Sequence, residues 1–206
     1  GQTFTTYNLE VDGFHTYFVA PIGSRNGAAG VWVHNESEGM ICKNAIKAAA
    51  EAGIRDIRSG AVKGIDEFLA KKTRGLSEKE IQAITTEYIS QTEQELGKLA
   101  TQASKQVVRK EGESAAAWGT RVHARLKELI IQSGRSDLRG EVSFIGGKEF
   151  DYGTKGSIRA DAILVNEQGN AIAVFDLKTG KAILSEIRKK ILMNATGAGI
   201  AKEIRP

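Results

Sequence analysis

At 206 residues, 41% hydrophobic and 26% charged, the chain can bury a substantial core as one domain with an appendage, or as two small domains. A formal charge of +4 and a pI near 9.1 suit a nucleic-acid partner without requiring one. The single cysteine, Cys42, excludes an internal disulfide framework and a multi-cysteine zinc site, and no apolar run approaches the ~18–20 residues of a membrane span.

No signal peptide is visible, and the opening on Gly1 rather than Met predicts a fragment or a processed piece of something longer. Residues 1–35 read as β-like. "TFTTYNLEV" and "HTYFVAP" are rich in Thr, Tyr, Phe and Val, and the Asp12–Gly13 pair between them is a hairpin signal. "IGSRNGAAG" reads as a loop and "VWVH" as a short closing strand.

Residues 36–110 change character. "KNAIKAAAEAG", "SGAVKGIDEFLAKKT" and "SEKEIQAITTEYISQTEQELGKLATQASKQVV" carry Ala, Leu, Ile, Glu and Lys at helical spacing. Ser77 with Glu80 three residues on is a capping box opening the longest helix, and no proline falls between Pro21 and Pro206. These helices carry no chemical motif.

From residue 111 to 206 the pattern alternates. "AAAWGTRVHARLKELIIQSG" is an amphipathic helix with Trp118, Val122, Leu126, Leu129 and Ile130 on one side. Strands are expected at 141–145, 157–165 and 171–178, then a helix from about 183 to 194 and a last short strand in "IAKEIRP". The fold class is therefore α+β: a β-rich N-terminal piece, a helical middle, and a C-terminal run of helix, three strands, helix and strand.

Within the third strand "AVFDLK" places Asp176 and Lys178 in an apolar run, where charges are paired, metal-bound or functional. A two- or four-residue turn in "VNEQGNA" sets Asp161 directly opposite Asp176, and opposed residues share a face, as does Lys178 two positions on. A three-residue loop would shift that register by one. Two adjacent carboxylates repel unless a cation lies between them, and a hard divalent ion such as Mg²⁺ suits them. Glu141 is a candidate third oxygen ligand, and Lys178 a candidate to position water or stabilise charge on a phosphate. The competing reading is a salt bridge of Lys178 with either aspartate. His123 is expected to be an ordinary partly buried histidine beside the site, and Arg159, Lys181, Arg188 and Lys189 are candidate phosphate contacts.

Helix, strand with Glu141, strand with Asp161, then Asp176-Leu-Lys178 and a second helix resembles the PD-(D/E)xK nuclease superfamily, with Ala160 where the name has proline. "SIRADAI…FDLKTGKA" looks like the restriction-endonuclease-fold toxins at the C-termini of bacterial polymorphic toxins. The resemblance covers about residues 111–206 and implies an αβββαβ core that cleaves phosphodiesters with Mg²⁺ or Mn²⁺. It makes Asp161, Asp176 and Glu141 metal ligands and Lys178 the catalytic lysine. "YNLEVDGFHTYFV…GVWVHN" resembles the end of Hint (Hedgehog/intein) modules, which implies cleavage after Asn35 assisted by His34 and His15; Glu36 at the next position speaks against splicing. The function expected is a metal-dependent nuclease toxin of interbacterial competition, delivered from its producer and acting in the target-cell cytoplasm. DNA is favoured over RNA, and an acidic immunity protein is the expected partner. The alternatives left open are an RNase toxin, a catalytically silent interaction module on the same fold, and a self-processing segment.

Overall fold

The structure is a computed structural model that describes residues 43–72 and 75–206, together with the backbones of two short strands. It divides into two compact units, Gly1–Ile46 and Lys47–Pro206. In the first, β1 (Thr16–Val19) pairs antiparallel with β2 (Val31–His34), Thr16 opposite His34. The Asp12–Gly13 turn, His15, Asn35 and Cys42 lie outside the described residues.

The second unit is α+β. Its helices are α1 (Lys43–Arg58, which starts just before the unit boundary), α2 (Ile65–Lys72), α3 (Glu78–Gln106), α4 (Ala115–Gln132) and α5 (Glu186–Thr196). Its strands are β3 (Leu138–Ile145), β4 (Lys148–Phe150), β5 (Ile158–Val165), β6 (Ala171–Leu177) and β7 (Ile200–Ile204). They form one sheet in the order β4-β3-β5-β6-β7, antiparallel except for β6 and β7, which run parallel through the α5 crossover.

Local chemistry accounts for the helices. The capping box is complete: Ser77 N–H donates to Glu80 Oε2 at 2.5 Å and Glu80 N–H to Ser77 Oγ at 3.4 Å, worth about 1 kcal/mol to α3. Beyond it, Ile84, Tyr88, Thr92, Leu96, Ala100 and Ala103 are buried at steps of three and four, a single stripe along 29 residues. Ser114 and Ser185 cap α4 and α5, and Gly197 ends α5 with φ 78°, a backbone glycine adopts without penalty.

The sheet is covered on both faces. Ala162, Leu164, Ala173, Phe175 and Leu177 pack with Val122, Leu126 and Ile130 of α4 and with residues of α1, α2 and α3. Ile163, Val165 and Val174 pack with Leu192 of α5. Double-sided burial explains why β5 and β6 read as continuous apolar runs rather than alternating ones. Each fully buried large side chain, Phe175 for example, contributes about 2–3 kcal/mol. The short strand β4, which hydrophobic patterning did not suggest, is exposed at all three residues.

The turn between β5 and β6 differs from expectation. It is a three-residue loop: Asn166 N–H donates to Asn170 O at 2.9 Å, and Gly169, at φ 83°, donates to Asn166 O at 3.0 Å. That loop sets Val165 opposite Ala171, the register that would separate the aspartates. A β-bulge at Ile172 then shifts the pairing back by one, so Leu164 faces Ala173 and Ala162 faces Phe175. The paired ladder ends at Ala162 and Phe175, one residue short of Asp161 and Asp176.

Strict alternation, on which a shared face depends, is interrupted at the same level. On β3, Gly140 abuts Lys127 of α4, whereas Val142 and Phe144 pack with the α5-side cluster. On β5, Ala162 belongs to the α4 side and Ala160 to the α5 side. Glu141 lies between, with φ 56°, a left-handed backbone that no other described non-glycine residue adopts. The side chains of Glu141 and Asp161 both turn toward α4.

Candidate metal centre

Three elements deliver the centre. His123 comes from α4, Glu141 from the left-handed position in β3, and Asp161 from the matching level of β5, with ligand atoms all within 4.8 Å of one another. His123 Nδ1 is 3.0 Å from Asp161 Oδ1 and 3.9 Å from Glu141 Oε1. The second Asp161 oxygen accepts the Leu177 amide at 2.7 Å, so this carboxylate also closes the end of the β5–β6 ladder. Glu141 Oε1 is buried and accepts no hydrogen bond. An orphaned carboxylate oxygen beside a second carboxylate and an imidazole is a donor set that could hold a metal ion.

The charges shape the histidine. Burial alone would push the His123 imidazole down; its hydrogen bond to Asp161 and the charges of Asp161, Glu141 and Asp176 outweigh that and hold it above its ordinary value. His123 is partly buried, as expected from its place on an amphipathic helix, and it also belongs to the group that could hold a cation. One signal was present: Ala115, Ala116, Gly119 and Thr120 precede it on α4, small residues that leave a 240 Å³ pocket open at the centre's side.

Asp176 and Lys178 form an adjoining group. The Lys178 ammonium lies against Asp176 Oδ2, though without hydrogen-bond geometry, and Arg188 Nε of α5 is 3.4 Å from Asp176 Oδ1. Arg188 also donates to Arg159 O at 3.2 Å, tying α5 to β5 beside the centre. The structure therefore gathers Glu141 and Asp161 with His123 on the α4 side, and Asp176 with Lys178 and Arg188 on the α5 side. Arg159 joins the first group, 3.7 Å from Glu141 Oε2. Lys189 turns to Glu186 at 2.7 Å, and Lys181 is exposed on the loop after β6. His34 is described by its backbone in β2.

Comparison with protein-family models, curated proteins and solved structures gives no match. Among the described residues no helix is long and apolar enough to cross a membrane.

Proposed function

We propose that the chain is a metal-dependent nuclease toxin of the PD-(D/E)xK kind, preceded by the tail of a Hint-type pretoxin segment. The observation that carries the reading is the convergence of His123, Glu141 and Asp161 beside the Asp176–Lys178 pair, at the level where β3, β5 and β6 meet. The order of helix, strands, helix and parallel strand supports it, with β4 as an added hairpin strand.

Glu141, Asp161 and His123 would hold the cation, Mg²⁺ or Mn²⁺. When bound, the ion supplies positive charge to a phosphodiester oxygen and acidifies water. The remaining work falls to the chain. Asp161 is held in place by the Leu177 amide and Asp176 by Arg188, so both carboxylates are pre-organised. Lys178, now against Asp176, would hold the attacking water and balance charge developing on the phosphate. Arg159, partly exposed beside Glu141, would contact the phosphate itself. DNA is the favoured substrate, and an immunity protein, acidic to suit the chain's net positive charge, is the partner the reading requires.

The test is incubation of the protein with plasmid DNA and with total tRNA, in Mg²⁺, in Mn²⁺ and in EDTA. Cleavage should need the metal and be lost in Asp161→Asn and Lys178→Ala. Full activity in both variants would sink the site.

A second reading has its own support: Lys178 and Arg188 both neutralise Asp176, as a structural ion-pair cluster in a silent interaction module would. Calorimetry with Mn²⁺ separates the two, because a silent module binds none and responds alike in wild type and Asp161→Asn.

A further inference from the structure

The pocket beside the metal centre is bounded by Ala116, Gly119 and Thr120 of α4 on one side and by Arg159 and Thr179 on the other, with His123 at its metal end. Its α4 wall is almost without side chains; a Cβ on Gly119 would sit 2.9 Å from Thr179 Oγ1. Arg159 forms the outer boundary, and its guanidinium lies 5.3 Å from the centroid of the Tyr152 ring. Tyr152 is 79% exposed, so it contributes little to the core. The backbone that carries it is nevertheless structured. Two successive turns build the β4–β5 loop: Thr154 N–H and Oγ1 bond to Asp151 O at 3.2 and 2.8 Å, and Ser157 N–H to Thr154 O at 3.1 Å. An aromatic ring held in the open by a structured loop, backed by a cation and one guanidinium away from Glu141, is a platform rather than a packing element.

We infer that Tyr152 stacks an unpaired nucleobase of a strand whose phosphate enters the pocket past Arg159, so that the substrate class is single-stranded nucleic acid or an unpaired loop. The inference rests on the nuclease reading proposed above. In a duplex each base is already stacked and paired, and its face is not free for a protein ring. A base in a single strand has an open face, and aromatic side chains take it irrespective of sequence. Arg159 behind the ring adds cation–π attraction and keeps a charge within reach of the adjoining phosphate. The same chemistry serves DNA and RNA strands.

The test is fluorescence anisotropy of the whole chain in EDTA, with labelled 12-nucleotide DNA and RNA single strands and the corresponding duplexes. Wild type should bind single strands more tightly than duplex. Tyr152→Ala should weaken single-strand binding about tenfold and bring the single-strand to duplex ratio toward one, while Tyr152→Trp keeps the ratio. The loss in Tyr152→Ala should persist as salt is raised, because stacking is not screened, whereas the loss in Arg159→Gln should shrink. A tighter DNA or RNA arm tells which strand is preferred. Equal wild-type affinity for single strand and duplex, or an unchanged ratio in Tyr152→Ala, overturns the inference. Binding in EDTA needs no turnover. A protein that cleaves but ignores Tyr152 therefore defeats the platform alone, and one that binds through Tyr152 but never cleaves defeats the nuclease reading alone.

Discussion

His123 Nδ1 stands 3.0 Å from Asp161 Oδ1, and the other oxygen of that carboxylate is taken by the Leu177 amide at 2.7 Å. One carboxylate thus links α4, β5 and β6, and its orientation is set before any ligand arrives. The imidazole is the soft member of an otherwise oxygen set, and imidazole suits transition metals better than Mg²⁺. Mn²⁺ should therefore bind more tightly than Mg²⁺. His123→Ala should lower Mn²⁺ affinity about 10–100-fold and reduce the preference, measured by isothermal calorimetry. Equal Mn²⁺ affinity in wild type and variant would remove His123 from the centre.

Glu141 should trade stability for its place in the site. A non-glycine residue in the left-handed region costs about 1–2 kcal/mol, and its buried Oε1 has no hydrogen-bond partner. Glycine relieves that strain while giving up about 0.5–1 kcal/mol of chain entropy. Glu141→Gly should melt a few degrees higher than wild type in EDTA and lose metal-dependent cleavage. Glu141→Gln, which keeps the backbone strain, should gain less. A lower melting temperature for the glycine variant than for the glutamine variant would show that the backbone here is unstrained.

The α3 capping box, the α4 amphipathic face and the buried β5 and β6 were legible because each rests on contacts within a few residues or on a hydrophobic period. The β5–β6 register was legible only in its outcome. The loop has three residues, and the bulge at Ile172 that restores the offset depends on packing across the sheet, which composition does not encode. Glu141 gives no local signal for φ 56° either, since glutamate has no preference for that region; Gly140 packed against Lys127 is the tertiary constraint that accompanies it. His123 was visible as a residue on α4, but its partner Asp161 is 38 positions away. Pairings of that kind follow from how α4 lies on the sheet, not from spacing.

A buried polar network should matter more to folding than any surface pair. Arg135 bonds both Asp137 oxygens, at 2.7 and 2.8 Å, and also Tyr88, Thr92 and Glu95, and the Tyr88 hydroxyl donates to Asp137. Burial pushes the Tyr88 phenol far above its ordinary value, so it stays a donor. Arg135→Met strands the Asp137 carboxylate in the interior and should cost about 3–5 kcal/mol by urea unfolding. The joint replacement Tyr88→Phe, Arg135→Met and Asp137→Leu should cost less than Arg135→Met alone, because no charge is left unpaired. If the triple variant is the less stable one, the network contributes net stability rather than merely needing its partners.

Glu113 should give the fold an acid-sensitive joint at the α3–α4 connection, which sets where α4 presents His123. Two hydrogen bonds from the Arg121 guanidinium, then one from the Lys110 amide, hold the Glu113 carboxyl down to about 2 from its usual 4.5. A carboxyl whose pKa is lower in the folded chain binds protons more readily when unfolded, so it stabilises the fold above the unfolded value. That contribution is complete above about 4.5 and falls away as pH drops through the window toward 2. Glu113→Gln should therefore melt below wild type at pH 7 and at pH 5.5, and the gap should close as the pH approaches 2. Raising salt should narrow the gap at neutral pH, since Arg121 is partly exposed. A gap that stays constant from pH 7 to pH 2 would mean that the carboxyl titrates alike in both states and that Arg121 exerts no hold on it.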